Sequence, residues 1–168
     1  MELQERIAAL ESRLSDLEAR GGIRNTIGHY ARGVDEARYD ELMSIMTDNI
    51  VIQISPWWDK TFEGKEDALS FFRDYHSSFQ HPRRWIANEH ITVDGETGKC
   101  SADWFVVQSH SGQSYIGWGT YDWEFRFEEG IWKITKMVIT LLTMTTLNQG
   151  WGMEQDRVMP LPSQPPGQ

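Results

Sequence analysis

The stretch IRNTIGHYARGVD, residues 23–35, and the acidic break EARYDEL that follows it, residues 36–42, decide the fold. The first stretch predicts a helix that carries Tyr30 and Asp35 about one and a half turns apart. A second short helix is expected over residues 39–46. Because helices open the domain, they can support a sheet that forms later in the chain.

The rest of the chain alternates between turn residues and β-branched or aromatic runs. A strand is predicted over 50–54 and a helix over 65–78, with residues 80–83 as a break between helix and sheet. Further strands are predicted over residues 85–94, 99–109, 113–128 and 131–146. Helices followed by an antiparallel meander predict an α+β domain in which a curved antiparallel sheet wraps around the N-terminal helices.

The strand at 113–128 alternates clearly between two faces. One face is aromatic and should meet the helices; it carries Tyr115, Tyr121, Trp123 and Phe125. Gly117 and Gly119 lie on the same face, which indicates strong curvature or a close approach of a ligand to the backbone. The strand therefore predicts an aromatic interior.

Composition narrows the classes of function. The 168 residues, 39% of them hydrophobic, are enough for one domain with a real core. A net charge of -9 argues against nucleic-acid binding, which needs a basic surface. The single cysteine, Cys100, is expected to be an unreactive thiol, and the N-terminus lacks the pattern of a signal peptide. The sequence favours a soluble, cytoplasmic protein without a membrane span.

Residues 2–20 form a strong predicted helix of their own, ended by the pair Gly21-Gly22. We divide the chain into this N-terminal helix (1–20), a domain (21–150) and a proline-containing tail (151–168). The apolar stripe of the helix is narrow and covers only about two and a half heptads. Packing on the domain or on a neighbouring subunit is therefore favoured over a coiled coil.

Several motifs, in this order, resemble the SnoaL-like domain of the nuclear-transport-factor-2-like superfamily. The motifs are YARGVD (30–35), FEGKE (62–66), NEHITVDG (88–95), GTYDWEF (119–125) and GIWKI (130–134). The resemblance covers roughly residues 20–147 and places the chain near the group of scytalone dehydratase, bile-acid 7α-dehydratase and hexachlorocyclohexane dehydrochlorinase. It implies a cone-shaped pocket, proton-transfer chemistry without a cofactor, and a homo-oligomer, with a trimer favoured.

The resemblance also implies site residues. Tyr30 matches a pocket tyrosine that can stabilise developing negative charge through a hydrogen bond. Asp35 matches an aspartate that pairs with a histidine in several relatives. That histidine should stand shortly before Asn88, which matches a strand asparagine at the pocket, but Arg84 or Trp85 occupies its place. An arginine cannot act as a base near neutral pH, so Arg84 is expected to clamp an anion or to pair with Asp35.

The remaining candidates are one histidine and the aromatic walls. His90, in the strand after Asn88, could present a base to the pocket. His29 should point about 100° away from Tyr30 on the helix. His81 could belong to a lid, whereas His76 and His110 are expected at the surface.

The expected apolar walls of the pocket are Trp57, Trp85, Tyr115, Tyr121 and Trp123. No spacing of ligand residues indicates a metal site, and no Gly-rich loop indicates a nucleotide.

These features favour a lyase without a cofactor that eliminates water or formaldehyde from a hydrophobic aromatic or polycyclic molecule. The catalytic residues would be Tyr30, Asp35, Arg84 and His90. A polyketide-type isomerase or cyclase, or a binding protein without catalysis, stays open as an alternative. A small hydrophobic substrate is the expected partner, with no nucleic acid and no membrane.

Overall fold

The computed structural model describes residues 3–55 and 60–151. The helices are α1 (Leu3–Asp35), α2 (Tyr39–Ser44) and α3 (Gly64–Ser78). The strands are β1 (Met46–Ser55), β2 (Lys60–Glu63), β3 (Gln80–Asp94), β4 (Thr97–His110), β5 (Gln113–Glu128) and β6 (Ile131–Thr146). Trp57 and residues 152–168 lie outside the described residues, so the predicted wall at Trp57 and most of the predicted tail remain predictions.

The six strands form one curved sheet in the order β2-β1-β6-β5-β4-β3. The predicted meander is confirmed, because β3 to β6 pair antiparallel in sequence order. The sheet is mixed rather than wholly antiparallel, since β1 runs parallel to β6. Parallel neighbours need a long crossover, and here α3 and the whole meander supply it. The α+β prediction holds.

The N-terminal helix does not end at Gly21-Gly22, as the sequence predicted, because α1 is continuous over 33 residues. A Cβ at position 22 would lie 2.6 Å from the Trp132 ring, so Gly22 lets α1 pack closely on the sheet. Buried residues of α1 begin at Ile23. Tertiary packing of this second half outweighs the poor helix propensity of glycine.

The helix also fails to pack on its own domain along its first half. Five apolar side chains there are exposed. Their exposed fractions are 73% for Leu3, 46% for Ile7, 62% for Leu10, 56% for Leu14 and 66% for Leu17. The first of the two predicted packing partners, the domain itself, is therefore wrong for this segment.

Strand β3 begins at Gln80, so the predicted break at 80–83 is wrong. The register shifts between Gln80 and Arg83, and His81 has a φ of 54°. A bulge of this kind bends a strand without ending it. The turn residues that predicted a break therefore mark a bend in a paired strand.

The inner face of the sheet is aromatic, as the alternation in β5 predicted. Tyr121, Trp123 and Phe125 are all buried. A Cβ at Gly119 would lie 1.8 Å from the Thr140 carbonyl oxygen, so this glycine permits a close approach of neighbouring strand backbone. None of the described helices is both long and apolar enough to cross a membrane.

Candidate active site

Two tyrosines from facing elements meet at the centre of the molecule. Tyr30 comes from the buried face of α1 and Tyr121 from the inner face of β5. Their hydroxyl oxygens are 3.1 Å apart, and the rings meet edge to face with centroids 5.6 Å apart. Tyr30 is 1% exposed, so its hydroxyl is a buried polar group that must find a partner.

Arg84 points inward from β3 and forms a two-point contact with Asp35 at the end of α1. The Arg84 backbone N–H donates to Asp35 Oδ2 at 2.9 Å, and its Nε donates to Oδ1 at 2.8 Å. Arg84 lies opposite Val106 of β4, which is buried, so the register directs it to the inner face. The side chains are only 7% and 10% exposed. Asp35 thus holds a nearly buried guanidinium in place.

The guanidinium also binds two phenols. Its Nη1 donates to Tyr121 Oη at 3.3 Å and its Nη2 to Tyr75 Oη at 3.1 Å. The Tyr75 hydroxyl in turn donates to Gln108 Oε1 at 2.5 Å. The guanidinium carbon lies 5.4 Å from the Tyr75 ring centroid and 6.0 Å from that of Tyr30. One cation therefore organises three tyrosines on the inner face.

Burial favours the neutral form of the Tyr30 and Tyr75 phenols. It raises the pKa of Tyr30 well above its ordinary value, with the neighbouring Tyr121 adding to the effect. Burial likewise raises the pKa of Tyr75 to about 12. Burial alone would lower the pKa of the Arg84 guanidinium, but the oxygens of the surrounding tyrosines and of Asp35 raise it well above its ordinary value. The arrangement thus combines a fixed cation with hydroxyl donors.

Trp123 adds one more donor beside the tyrosines. Its ring stacks on Tyr121 with centroids 4.6 Å apart and meets Tyr30 edge to face at 6.1 Å. Its Nε1 is buried and has no hydrogen-bond partner among the described residues. An unpaired buried N–H is costly, so an acceptor oxygen placed against this nitrogen would relieve the cost.

Three predicted site residues lie elsewhere. Trp85 is 57% exposed on the outer face, where its ring contacts Phe105 at 5.9 Å, so it is not an inner wall. Asn88 is exposed, with a φ of 57° and a hydrogen bond to Asp103, because a bulge after Ala87 turns it out of the sheet. His90 is exposed beyond that bulge. The bulge shifts the register by one residue, which reverses the faces of the residues that follow.

The other histidines have hydrogen-bond partners outside the Arg84 cluster, although the His76 ring meets Tyr75 edge to face with centroids 5.3 Å apart. His29 contacts Glu41 at 2.5 Å, facing away from Tyr30 as predicted. His76 and His110 are not simple surface positions, because they bind the backbone carbonyls of Val34 and Ser78. His81 lies exposed at the first bulge of β3. Within the described residues, no histidine hydrogen-bonds to the Arg84 cluster.

Two further residues considered in the sequence, Tyr115 and Cys100, lie outside the Arg84 cluster. Tyr115 is half-buried on the inner face near His110, with ring centroids 6.2 Å apart, so it lies at the edge of the aromatic interior. The Cys100 thiol is buried, and this burial raises its pKa to about 11. A protonated, buried thiol agrees with the predicted unreactive cysteine.

Sequence reasoning missed Tyr75 and Gln108. Tyr75 shares the buried face of α3 with Phe71 and Phe72, so helical spacing could have directed it inward. Gln108 is buried at an inward position of a strand whose other inward residues are mostly apolar. A polar residue such as Gln108 at a position where the alternation predicts an apolar one could have indicated a polar site inside the sheet.

Several solved structures share this fold. A hexachlorocyclohexane dehydrochlorinase (LinA) type 2 is 21% identical, with a TM-score of 0.72, covering 82% of this chain and 92% of its own. A Novosphingobium aromaticivorans protein proposed to be an aromatic ring hydroxylase is 22% identical, with a TM-score of 0.72 and coverage of 79% and 96%. A second protein of that organism, proposed to be a scytalone dehydratase, is 14% identical, with a TM-score of 0.70 and coverage of 81% and 90%.

These likenesses show the fold, because all three identities are below 25%. Among curated proteins, no sequence matches this chain significantly. The model of the SnoaL-like domain matches residues 15–138, which include Tyr30, Asp35, Arg84 and Tyr121. The chain therefore belongs to the SnoaL-like domain family.

Proposed function

We propose that this protein is a lyase, independent of a cofactor, that eliminates water or formaldehyde from a hydrophobic aromatic small molecule. The observation that carries the proposal is the guanidinium of Arg84, fixed by Asp35 and joined to the hydroxyls of Tyr75 and Tyr121. Fixed donors of this kind stabilise negative charge that develops on a substrate oxygen.

Some N–H and O–H groups of the Arg84 cluster have no acceptor among the described hydrogen bonds and could bind a substrate. A guanidinium has five N–H groups, and three of them are engaged by Asp35, Tyr121 and Tyr75 within the described residues. The hydroxyls of Tyr30 and Tyr121 share one hydrogen bond, which uses one of their two protons. The remaining proton, with Trp123 Nε1, can serve oxygens of the substrate.

In its resting state, with the tyrosines protonated, this cluster supplies no general base. Both oxygens of Asp35 accept hydrogen bonds from Arg84, and the raised pKa values of Tyr30 and Tyr75 keep those phenols protonated. The substrate must therefore bring its own acidity. A phenol fits this requirement, because its phenolate can bind the guanidinium and then supply the electron pair that drives elimination.

The proposed elimination begins with the substrate bound as a phenolate. The phenolate lone pair forms a carbonyl through the ring, the benzylic C–O bond breaks, and the Tyr30–Tyr121 pair protonates the departing hydroxyl as water. The resulting quinone methide then returns a proton to the tyrosine pair. That proton comes from the neighbouring carbon, giving an alkene, or from a neighbouring CH₂OH group, whose C–C bond breaks to release formaldehyde in addition to the water. In both cases the phenolate re-forms and the tyrosine pair recovers its proton, without an external oxidant or reductant.

The aromatic surroundings support a flat substrate. Trp123, Tyr121 and Trp104 are buried on the inner face of the sheet. Phe72 of α3 is also buried and meets the Tyr30 ring edge to face with centroids 6.3 Å apart. Mostly apolar walls with a few convergent polar groups are typical of sites for small organic molecules. Dehydrochlorinases among the similar structures eliminate from their substrates as their name states, which supports a lyase in preference to other reactions.

Two rival functions use the same residues. A polyketide-type isomerase or cyclase would employ the donors to stabilise an enolate, and its product would keep the mass of the substrate. A binding protein would show affinity without turnover.

We also propose that the protein is a homo-oligomer, with a trimer favoured. An apolar row on the outer face of the sheet supports this proposal; it consists of Trp85, Phe105 and Trp118 on three neighbouring strands.

Mass-resolved screening of a panel of phenolic, steroidal and polyketide-like hydroxy compounds tests the proposed function. The wild type should convert a phenolic member with loss of water or formaldehyde, and Tyr30→Phe should not. Tyr39→Phe is the matched control, because the Tyr39 hydroxyl binds His76 outside the cluster. A product of unchanged mass would establish the isomerase or cyclase instead, and binding without any product would favour the binding protein.

A further inference from the structure

The first half of α1 carries an apolar stripe with no cover from the described chain. Leu3, Ile7, Leu10, Leu14 and Leu17 are separated by four, three, four and three residues, and each is at least 46% exposed. This spacing is the a and d repeat of a coiled coil, with Ile7 and Leu14 at a and the other three at d. The stripe is narrower than the apolar face that a helix usually packs onto its own domain.

The stripe points away from the domain. Ile23, which is fully buried, begins the face of α1 that packs on the sheet. The nine residues from Leu14 to Ile23 turn the helix through about two and a half turns, so the two faces are opposite each other. Because α1 is continuous, the sheet that covers Ile23 cannot also cover Leu14. Another segment must cover the stripe.

The charges that flank the stripe identify what that segment is. In the same heptad register, Arg6 and Arg13 occupy g positions, and Glu11 and Glu18 occupy e positions. All four are exposed, and the ion pairs within residues 3–55 and 60–151 include none of them. The stripe thus has a basic margin on one side and an acidic margin on the other.

Two copies of such a helix are complementary in one orientation only. In a parallel pair, each g residue meets the e residue five positions later in the partner, so Arg6 faces Glu11 and Arg13 faces Glu18 of the second copy. In an antiparallel pair, g meets g and e meets e, which brings arginine to arginine and glutamate to glutamate. Like charges at these positions select against that arrangement.

We propose that the stripe on residues 3–17 binds the same stripe of a second copy of this chain as a parallel coiled coil. Two and a half heptads are short for an isolated coiled coil. Here the helix is already formed and anchored, because Arg20, just beyond the stripe, bonds Asp16 and the Ile91 carbonyl. Folding of the domain therefore supplies the nucleation of the helix.

The first test compares masses in solution by sedimentation or light scattering. The wild type should have a mass of two or more protomers of 19.5 kDa. Leu10→Glu with Leu14→Glu should weaken association at least about tenfold, which corresponds to roughly 1.4 kcal/mol. The matched control, Ala9→Glu with Ser12→Glu, adds the same charge off the stripe and should associate like the wild type. Equal masses for the wild type and the Leu10/Leu14 variant would overturn the proposal and favour contact through the outer row instead.

The charge pattern and the orientation have their own tests. Arg6→Glu with Arg13→Glu should weaken association, and adding Glu11→Arg with Glu18→Arg should restore it. Leu3→Cys should form a disulfide with itself under mild oxidation, because equivalent d positions face each other in a parallel pair. A disulfide that forms only between Leu3→Cys and Leu17→Cys chains would overturn the parallel arrangement. A monomeric wild type would overturn the proposal entirely and make residues 152–168 of the same chain the candidate cover.

Discussion

Arg84 is the residue on which the inner cluster depends. It is one of two residues, with Trp85, at the place where the family resemblance predicts a histidine. It binds Asp35 and faces three tyrosines. A guanidinium keeps its charge and presents a planar set of donors, whereas a histidine would offer a base. In the proposed mechanism, fixed hydrogen-bond donors therefore act where a histidine would supply a base.

Removing one partner of the Arg84–Asp35 pair should lower the free energy of unfolding more than removing both partners. Arg84→Gln removes the guanidinium from the Asp35 carboxylate, which is 10% exposed and keeps only the backbone N–H of residue 84 as a donor. We expect a loss of about 3–5 kcal/mol in the free energy of unfolding. Asp35→Asn with Arg84→Gln removes both charges and should lose less than Arg84→Gln alone. Urea unfolding of the single and double variants measures the difference. Losses that simply add would show that the two side chains do not depend on each other.

The tyrosine pair should matter for rate rather than for binding. Tyr30→Phe or Tyr121→Phe removes a hydroxyl from the pair that protonates the leaving oxygen, and we expect kcat to fall by about 10²–10⁴-fold. Substrate affinity should change little, since the ring contacts remain. Steady-state kinetics on the substrate found by screening checks this, with Tyr39→Phe as the control. An unchanged kcat in both variants would remove the pair from the mechanism.

Stability should fall at alkaline pH. Since burial raises the pKa of Tyr75 from 10.0 to about 12, the folded protein keeps a proton between these values that the unfolded chain has lost. The unfolded state then binds fewer protons, so the free energy of unfolding decreases by up to about 1.4 kcal/mol per pH unit for this group. The pKa of Tyr30 is also raised, so this group lowers the free energy of unfolding at alkaline pH as well. Denaturant unfolding from pH 8 to 11 checks the slope, and Tyr75→Phe should make it shallower. A slope that Tyr75→Phe leaves unchanged would contradict the role of this tyrosine.

Among single residues, the sequence identified those whose direction follows from regular spacing. Tyr30 on α1 and Tyr121 on β5 were placed correctly because helix and strand periods fix their faces. His90 and Asn88 were misplaced because a bulge after Ala87 reverses the alternation, and a bulge leaves no clear mark in the sequence. The resemblance left two alternatives for Arg84, an anion clamp or a pair with Asp35. The structure shows the pair, and only the register of β3 could decide it, because the two residues are 49 positions apart.

At the scale of elements, the two neighbouring glycines of α1 have different reasons to be there. Gly21 has no heavy atom within 4 Å of an added Cβ, whereas at Gly22 the Trp132 ring lies 2.6 Å away. Sequence reasoning predicted a break at both, because glycine is a poor helix former. The structure shows one continuous helix in which only Gly22 is required by packing.

Substitution by alanine should therefore have opposite effects at the two positions. Gly21→Ala should raise the free energy of unfolding by about 0.5–1 kcal/mol, since it improves helix propensity without a clash. Gly22→Ala should lower it, because the methyl group displaces the Trp132 ring. Thermal and urea unfolding measure both. If both alanines destabilised the protein to the same extent, α1 would not be a continuous helix through this point.

At the scale of the whole molecule, the order of elements predicted the α+β class and the meander but not the parallel pairing of β1 with β6. Parallel pairing joins the start of the sheet to its last strand, and local patterns do not report on partners so far apart in sequence. The curved sheet and α1 enclose the inner face on which the Arg84 cluster is assembled. Every part of the proposed mechanism depends on this closure, because donors stabilise charge best where water is excluded.

A matched pair of substrates shows whether the substrate's own phenolate drives the proposed elimination at Arg84. The wild-type protein, stripped of metal, is given a phenolic benzylic alcohol that the screen has identified, and separately the same compound with its phenol methylated. If the substrate's own phenolate drives elimination at Arg84, the phenol should lose water or formaldehyde by mass spectrometry and the methyl ether should remain intact. Equal turnover of both compounds would contradict the account, because the electron pair would then have to come from the protein.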